Sequence, residues 1–141
     1  MTVEQNKALS RRFFDEIVNA QRLEVADQIF ASDHTYSDPS SPGIPNGPEG
    51  QKALIGAYIA AFPDLHHAVE EQFVDGDTVL TRWTATGTHQ GSLLGIQPTG
   101  KPAKVTGVWI HRIANGKIVE SKNVWDTLGM LQQLGVVPTL G

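Results

Sequence analysis

A chain of 141 residues with 40% hydrophobic content can bury a substantial core and reads as one globular domain, which excludes a disordered tail. The formal charge is −4 and the 11 lysines and arginines are scattered, so the basic footprint of a nucleic-acid binder is missing. No cysteine occurs, which excludes disulfides, thiolate metal sites and a cysteine nucleophile together.

The opening MTVEQNKALSRRFF is too polar for a signal peptide, and no apolar run approaches the ~20 residues of a membrane span, so a cytoplasmic chain without membrane contact is expected. Thr2 with Gln5 three residues later is a capping-box signature. Leu9, Phe13, Phe14, Ile17 and Val18 then recur at helical spacing and predict one long amphipathic helix. Leu23, Ala26, Ile29 and Phe30 predict a second, shorter helix. The segment SDHTYSDPSSPGIPNGPEG, dense in Pro, Gly, Ser and Asp, predicts a long ordered loop. Asn46 or Gly47 then caps a third helix with Pro48 in its first turn. Leu54, Tyr58, Ile59 and Phe62 line the buried side of that helix, which stops near Pro63.

From His67 onward the period changes to two. HAVEEQFV and TVLTRWTATGTH flank a turn at Asp75-Gly76-Asp77, while KVTGVWIHRI and KIVESKNVW flank Asn115-Gly116, the pair that suits the positive φ angles of a type I′ hairpin. Four antiparallel strands are predicted, with GSLLGIQPTGKPA as the loop between the hairpins. Helices first and antiparallel strands afterwards is the α+β pattern, and a bent sheet closed by helices leaves a cavity of the kind small ligands occupy.

The Asn-Gly turn also sets a register. With Ala114 opposite Lys117, an unbroken ladder places His111 opposite Glu120, Trp109 opposite Lys122, Gly107 opposite Val124 and Val105 opposite Asp126, all on one face. Thr106, Val108, Ile110 and Trp125 then fall on the other face. A bulge would invert the assignment beyond it.

The stretches AFPDLHHAVEE (61–71), GTHQGSLLGIQPTGK (87–101), VTGVWIHRIANGKIVE (105–120) and WDTLGMLQQLG (125–135), in this order, closely resemble the SnoaL-like polyketide cyclases, also called ester cyclases, over most of the chain. The resemblance implies that family's cone-shaped α+β barrel, a curved antiparallel sheet wrapped around N-terminal helices and enclosing a cavity, as in nuclear transport factor two and ketosteroid isomerase. It implies ring closure by intramolecular aldol condensation on a polyketide ester, without metal or cofactor, with the Asp of the C-terminal motif, here Asp126, as acid/base. Two positions depart from the family pattern. Ser37 stands before Asp38-Pro39 where many members carry His, and Lys122 stands where Trp is common, so a different substrate is implied.

Asp126 has two readings at the junction of strand and helix: an N-cap for the last helix, or a carboxylate that moves protons in the cavity. His89 shares the alternation of Val79, Thr81, Trp83 and Ala85, so it is either a pocket hydrogen-bond donor assisting Asp126 or a solvated strand end. His111, near the turn, reads as half of an exposed His–Glu pair with Glu120, although it shares the face of Asp126. His34, Tyr36 and Asp38 lie on the predicted loop, as turn residues or as ligand contacts at a barrel mouth. Trp83 and Trp109 are predicted wall residues for an aromatic or polycyclic ligand, and Lys122 a further substrate contact. His66 and His67 point to opposite strand faces and make no metal pair; no HExxH pattern exists, and metal and cofactor are expected to be absent. Three functions remain open: a cyclase, an isomerase or epoxide hydrolase on the same barrel, and a non-catalytic small-ligand-binding domain. Val108, Ile110 and Trp125 on the outer face suggest a homodimer.

Overall fold

A computed structural model describes residues 1–139 of the chain. Thr2 caps helix α1 (Val3–Arg12) through a complete capping box: its hydroxyl accepts from the Gln5 N–H at 3.1 Å, and the Gln5 side chain accepts from the Thr2 N–H at 2.8 Å. The helix does not continue unchanged. Over Phe13–Asn19 it widens into a π-helical stretch, with the Ala20 N–H donating to the Asp15 carbonyl five residues back. Apolar residues come here in adjacent pairs, Phe13-Phe14 and Ile17-Val18, and the wider turn sends all four into the core, where each is fully buried. A 3-10 turn over Leu23–Val25 leads to the short α2 (Ala26–Ile29).

Phe30, expected in the second helix, instead opens strand β1 (Phe30–Ser37), which pairs parallel with β5 (Lys117–Trp125). His34 and Tyr36 are therefore strand residues, and the expected loop begins only at Asp38. Pairing with β5 imposes alternation: His34, Tyr36 and Asp38 turn inward while Thr35 and Ser37 face solvent. Gly47 caps α3 (Pro48–Ala61) at φ 81°, and a side chain there would press on the Ser32 carbonyl at 2.9 Å. Strands β2 (His66–Asp75), β3 (Thr78–Thr88) and β4 (Pro102–Ala114) complete a curved sheet of order β1-β5-β4-β3-β2, and α4 (Thr127–Gln133) follows β5. The expected α+β architecture forms, with five strands instead of four.

The turn is of the expected type, with Asn115 at φ 52° and Gly116 at φ 74°. The ladder beyond it is not. Ala114 pairs with Lys117 and Ile113 with Ile118, but Arg112 pairs with Glu120, leaving Val119 as a bulge. Every later pair shifts by one: His111 faces Ser121, Trp109 faces Asn123, Val108 faces Val124 and Gly107 faces Trp125. An unbroken ladder would have turned Glu120 and Lys122 inward; unpairing one residue is the smaller cost. The expected inward Lys122 is thus corrected to an exposed outer position, and Trp125 moves from the outer face to the inner one. Among the described residues no helix is long and apolar enough to cross a membrane.

Candidate functional site

Between the inner face of the sheet and helices α3 and α4 lies a cavity that opens to solvent on one side, a concave, mostly apolar site of the kind small ligands use. Its walls are mostly apolar, with Leu54, Ile55 and Phe62 from α3 and its C-terminal end, Val105 from β4 and Met130 from α4. Trp83, Trp109 and Trp125, the chain's three tryptophans, all line it.

Within this apolar frame one polar cluster lies at the end of β1. The Tyr36 hydroxyl donates to Asp38 Oδ2 at 2.6 Å, and the Ser40 N–H donates to Asp38 Oδ1 at 2.7 Å, so a local turn fixes the carboxylate. The Ser40 and Thr127 hydroxyls bond to one another, tying this turn to the start of α4. Desolvation, reinforced by the Asp38 hydrogen bond, holds the Tyr36 hydroxyl protonated well above its ordinary titration range. Burial likewise raises Tyr58. The Tyr58 hydroxyl, Asn123 Oδ1, His67 Nδ1 and Trp83 Nε1 are buried in this lining without a hydrogen-bond partner. Among the described residues Asp38 is the one carboxylate in the lining, and no lysine or arginine joins it.

Four of the residues singled out from the sequence meet here: Tyr36, Asp38, Trp83 and Trp109. The others lie elsewhere. Asp126 stands at the end of β5 as the N-cap of α4, its Oδ1 accepting from the Gly129 N–H at 2.9 Å; its side chain is exposed, although its neighbours Trp125 and Met130 reach the cavity. His89 is fully buried outside the lining. Its Nδ1 accepts from the Thr99 N–H at 3.2 Å, its ring packs on Phe62 at 5.4 Å, and it pins the loop after β3. His34 is buried beside Phe30, with Nε2 bonded to Ser121 Oγ at 2.7 Å. The exposed His111–Glu120 pair does not form: His111 is fully buried, its Nδ1 bonded to Ser10 Oγ at 2.7 Å, while Glu120 reaches Arg112 at 3.6 Å.

Besides Trp125, the lining holds Asn123, Tyr58 and His67, which the sequence reading did not single out as site residues. Asn123 reaches the cavity only through the bulge at Val119, and an alternation that breaks between Ile118 and Ser121 was its available signal. Tyr58 lay on the recognised buried side of α3, and His67 is the inward member of the His66-His67 pair. Gly107 makes the wall possible, because a Cβ there would overlap the indole of Trp83 and the Cβ of Trp125. Gly107→Ala is expected to destabilise the fold by about 1–3 kcal/mol in urea unfolding and to shift the tryptophan emission, since both displaced rings line the cavity; unchanged emission and stability would contradict this packing. Among the described residues no three histidine or carboxylate side chains converge as metal ligands.

Comparison with known proteins adds an independent measure. The family model described as SnoaL-like polyketide cyclase matches residues 8–134. Nogalonic acid methyl ester cyclase of Streptomyces nogalater is 29% identical over 118 residues, covering 83% of this chain and 88% of that protein. Aklanonic acid methyl ester cyclase DauD of Streptomyces sp. strain C5 is 31% identical over 134 residues, covering 90% of this chain and 80% of the relative. The structure of TsrD from Streptomyces laurentii superposes with a TM-score of 0.86 at 26% identity, over 97% of this chain and 99% of that one.

Proposed function

Because the chain belongs to the SnoaL-like polyketide cyclase family, we propose that its cavity closes a ring by intramolecular aldol condensation on a polyketide ester. The observation that carries this reading is the Asp38–Tyr36 pair in an otherwise apolar wall. Asp38 removes a proton from a carbon flanked by carbonyls, the enolate carbon bonds to a second carbonyl carbon of the same molecule, and the resulting alkoxide takes the proton back. Atoms and electrons balance within one substrate, so the step needs no redox partner. The Tyr58 hydroxyl, buried in the same lining, is the donor we assign to the developing enolate oxygen.

The charge of the lining favours a neutral substrate. A free carboxylate entering beside Asp38, with no cation in the wall, would be buried uncompensated. An ester avoids that cost, and the two curated relatives above are methyl ester cyclases by name. Asp126 remains the second candidate base, through the family resemblance and its position next to Trp125. The polar groups that distinguish an enzyme from a simple binding module nevertheless gather around Asp38. The arrangement that would favour epoxide opening, a second carboxylate or an arginine bonded to Asp126, is not found among the described residues. The test is incubation with an aromatic polyketide methyl ester in D2O, following both ring closure and deuterium entry at the acidic carbon by NMR. Exchange faster than in the enzyme-free control, with or without closure, supports enolisation; exchange no faster than the control and no closure, with ligand demonstrably bound, argues for a binding module.

Self-association is expected through the outer sheet face, with a revised membership. Trp125 leaves that face, while exposed Val124 joins Val108 as its cross-strand partner, and exposed Phe73 extends the row of Leu80 and Ile110. Light scattering at micromolar concentration should give twice the chain mass, and Val124→Glu should return the single-chain mass. A wild-type protein already at single-chain mass would count against the interface.

A further inference from the structure

At the other edge of the sheet, on β2 and β3, the cavity carries a second polar pair. His67 Nδ1 and Trp83 Nε1 are buried without a partner, and the two rings lie 4.5 Å apart with 40° between their planes. An unsatisfied buried polar group costs about 1–3 kcal/mol, and these two share one cavity wall, where a ligand oxygen would relieve both.

Both groups are also held in place. The Asn19 side chain grips the His67 backbone from both sides, Nδ2 donating to its carbonyl at 2.9 Å and Oδ1 accepting from its N–H at 2.7 Å. That bidentate clamp steadies an edge strand where it would otherwise be unpaired. Trp83 is seated over Gly107, the one residue type that leaves room for its ring. The chemistry they offer is that of neutral hydrogen bonding, since an indole only donates and a neutral imidazole donates once and accepts once. Burial, with His66 adding repulsion, pushes the His67 pKa down to about 3, so the ring carries no charge near neutral pH.

We propose that His67 and Trp83 form an oxygen-recognition subsite that binds a ketone or phenolic hydroxyl of the substrate, away from the reacting end at Asp38. Asp38 follows β1 and His67 lies on β2, the two edge strands of the sheet, and Trp109 stands on β4 between them. The matching ligand is flat, aromatic in its middle and oxygenated at both ends. This inference rests on the cavity being the substrate site, as proposed above, but its test reads binding alone and needs no turnover.

Isothermal titration of the full chain with 1-naphthol, 1-methylnaphthalene and 1-naphthoate separates the contributions. Wild type should prefer 1-naphthol over 1-methylnaphthalene by about tenfold, the worth of one good hydrogen bond, and should bind 1-naphthoate more weakly than 1-naphthol. In the double variant His67→Phe/Trp83→Phe the preference should fall to within about twofold, with 1-methylnaphthalene affinity held. Trp83→Phe alone, which keeps an aromatic ring over Gly107, should reduce the preference by about threefold and covers the case of a poorly folded double variant. Asp38→Asn should keep the preference, because the oxygen sits at the other edge of the sheet. Equal affinities in wild type, or a preference that survives both variants or vanishes in Asp38→Asn, would overturn the subsite. Loss of the subsite would leave the ring-closure reading standing, and failure of ring closure would leave the binding ratio untouched.

Discussion

Asp38→Asn is expected to lower the rate of ring closure by about a hundredfold or more while leaving the fold nearly as stable. The substitution keeps an oxygen to accept from the Ser40 N–H and a polar atom beside the Tyr36 hydroxyl, so the turn that holds residue 38 survives. What it removes is the one carboxylate in the lining. A carboxylate is a weak base in water, but a carbon between two carbonyls is acidic enough when the base is positioned, water is excluded and a donor meets the enolate oxygen. The companion variant is Asp126→Asn, which preserves a capping oxygen for the Gly129 N–H and should leave both stability and rate within a few-fold of wild type. The two variants together decide the assignment. If Asp126→Asn lost the hundredfold and Asp38→Asn did not, the base would be the residue the family resemblance pointed to, with the exposed cap reorienting toward the cavity when substrate binds.

The contrast between these two aspartates shows what a sequence exposes and what it hides. Local rules were legible: the capping box at Thr2, the Asn115-Gly116 turn and Pro48 after Gly47 each depend on a few adjacent residues, and each forms as expected. The alternation of Val79, Thr81, Trp83 and Ala85 correctly placed Trp83 on the wall, because a central strand without a bulge preserves its faces. The hidden parts depend on distant partners. Strand β1 has a polar, turn-like composition, and only its parallel pairing with β5, almost ninety residues away, makes it a strand; Tyr36 and Asp38 enter the cavity by that route. One unpaired residue, Val119, exchanges Lys122 for Asn123 at the cavity wall. The histidines were hidden for a further reason. Whether a His is solvated, hydrogen-bonded in the core or facing a cavity depends on what packs over it, and His111 lies under Phe13 with Ser10 as its partner, neither of which is close in sequence.

Those buried histidines also set the response of the fold to acid. Lowering the pH from 7.5 to 5.5 is expected to cost about 4 kcal/mol of folding stability, a large share of the 5–15 kcal/mol of a typical domain. Burial depresses His34 to about 4, and His67 and His111 to about 3, each from an ordinary value of 6.5. Asp33 and Glu120 partly oppose the shift at His34, whereas His66 adds to it at His67 and His34 adds to it at His111. In the unfolded chain all three bind protons as the pH falls through 6.5; in the folded chain they do not until pH 3 to 4. The unfolded state therefore binds more protons in that window, so stability is full above about pH 6.5 and declines below it, by about 1.4 kcal/mol per histidine at one unit below. The carboxylates held low by partners, Glu16 beside Arg12 and Asp64 beside Thr88, contribute only further down, near and below their own ordinary values of 4.5 and 3.8. Urea unfolding at the two pH values measures the loss directly. Replacing His111 by Gln, which retains a hydrogen-bonding group for Ser10, should remove about a third of the pH dependence even though it lowers stability at pH 7.5. A protein equally stable at both pH values would show that the three rings accept protons in place, against the burial of His111 among Phe13, Phe14 and Phe30.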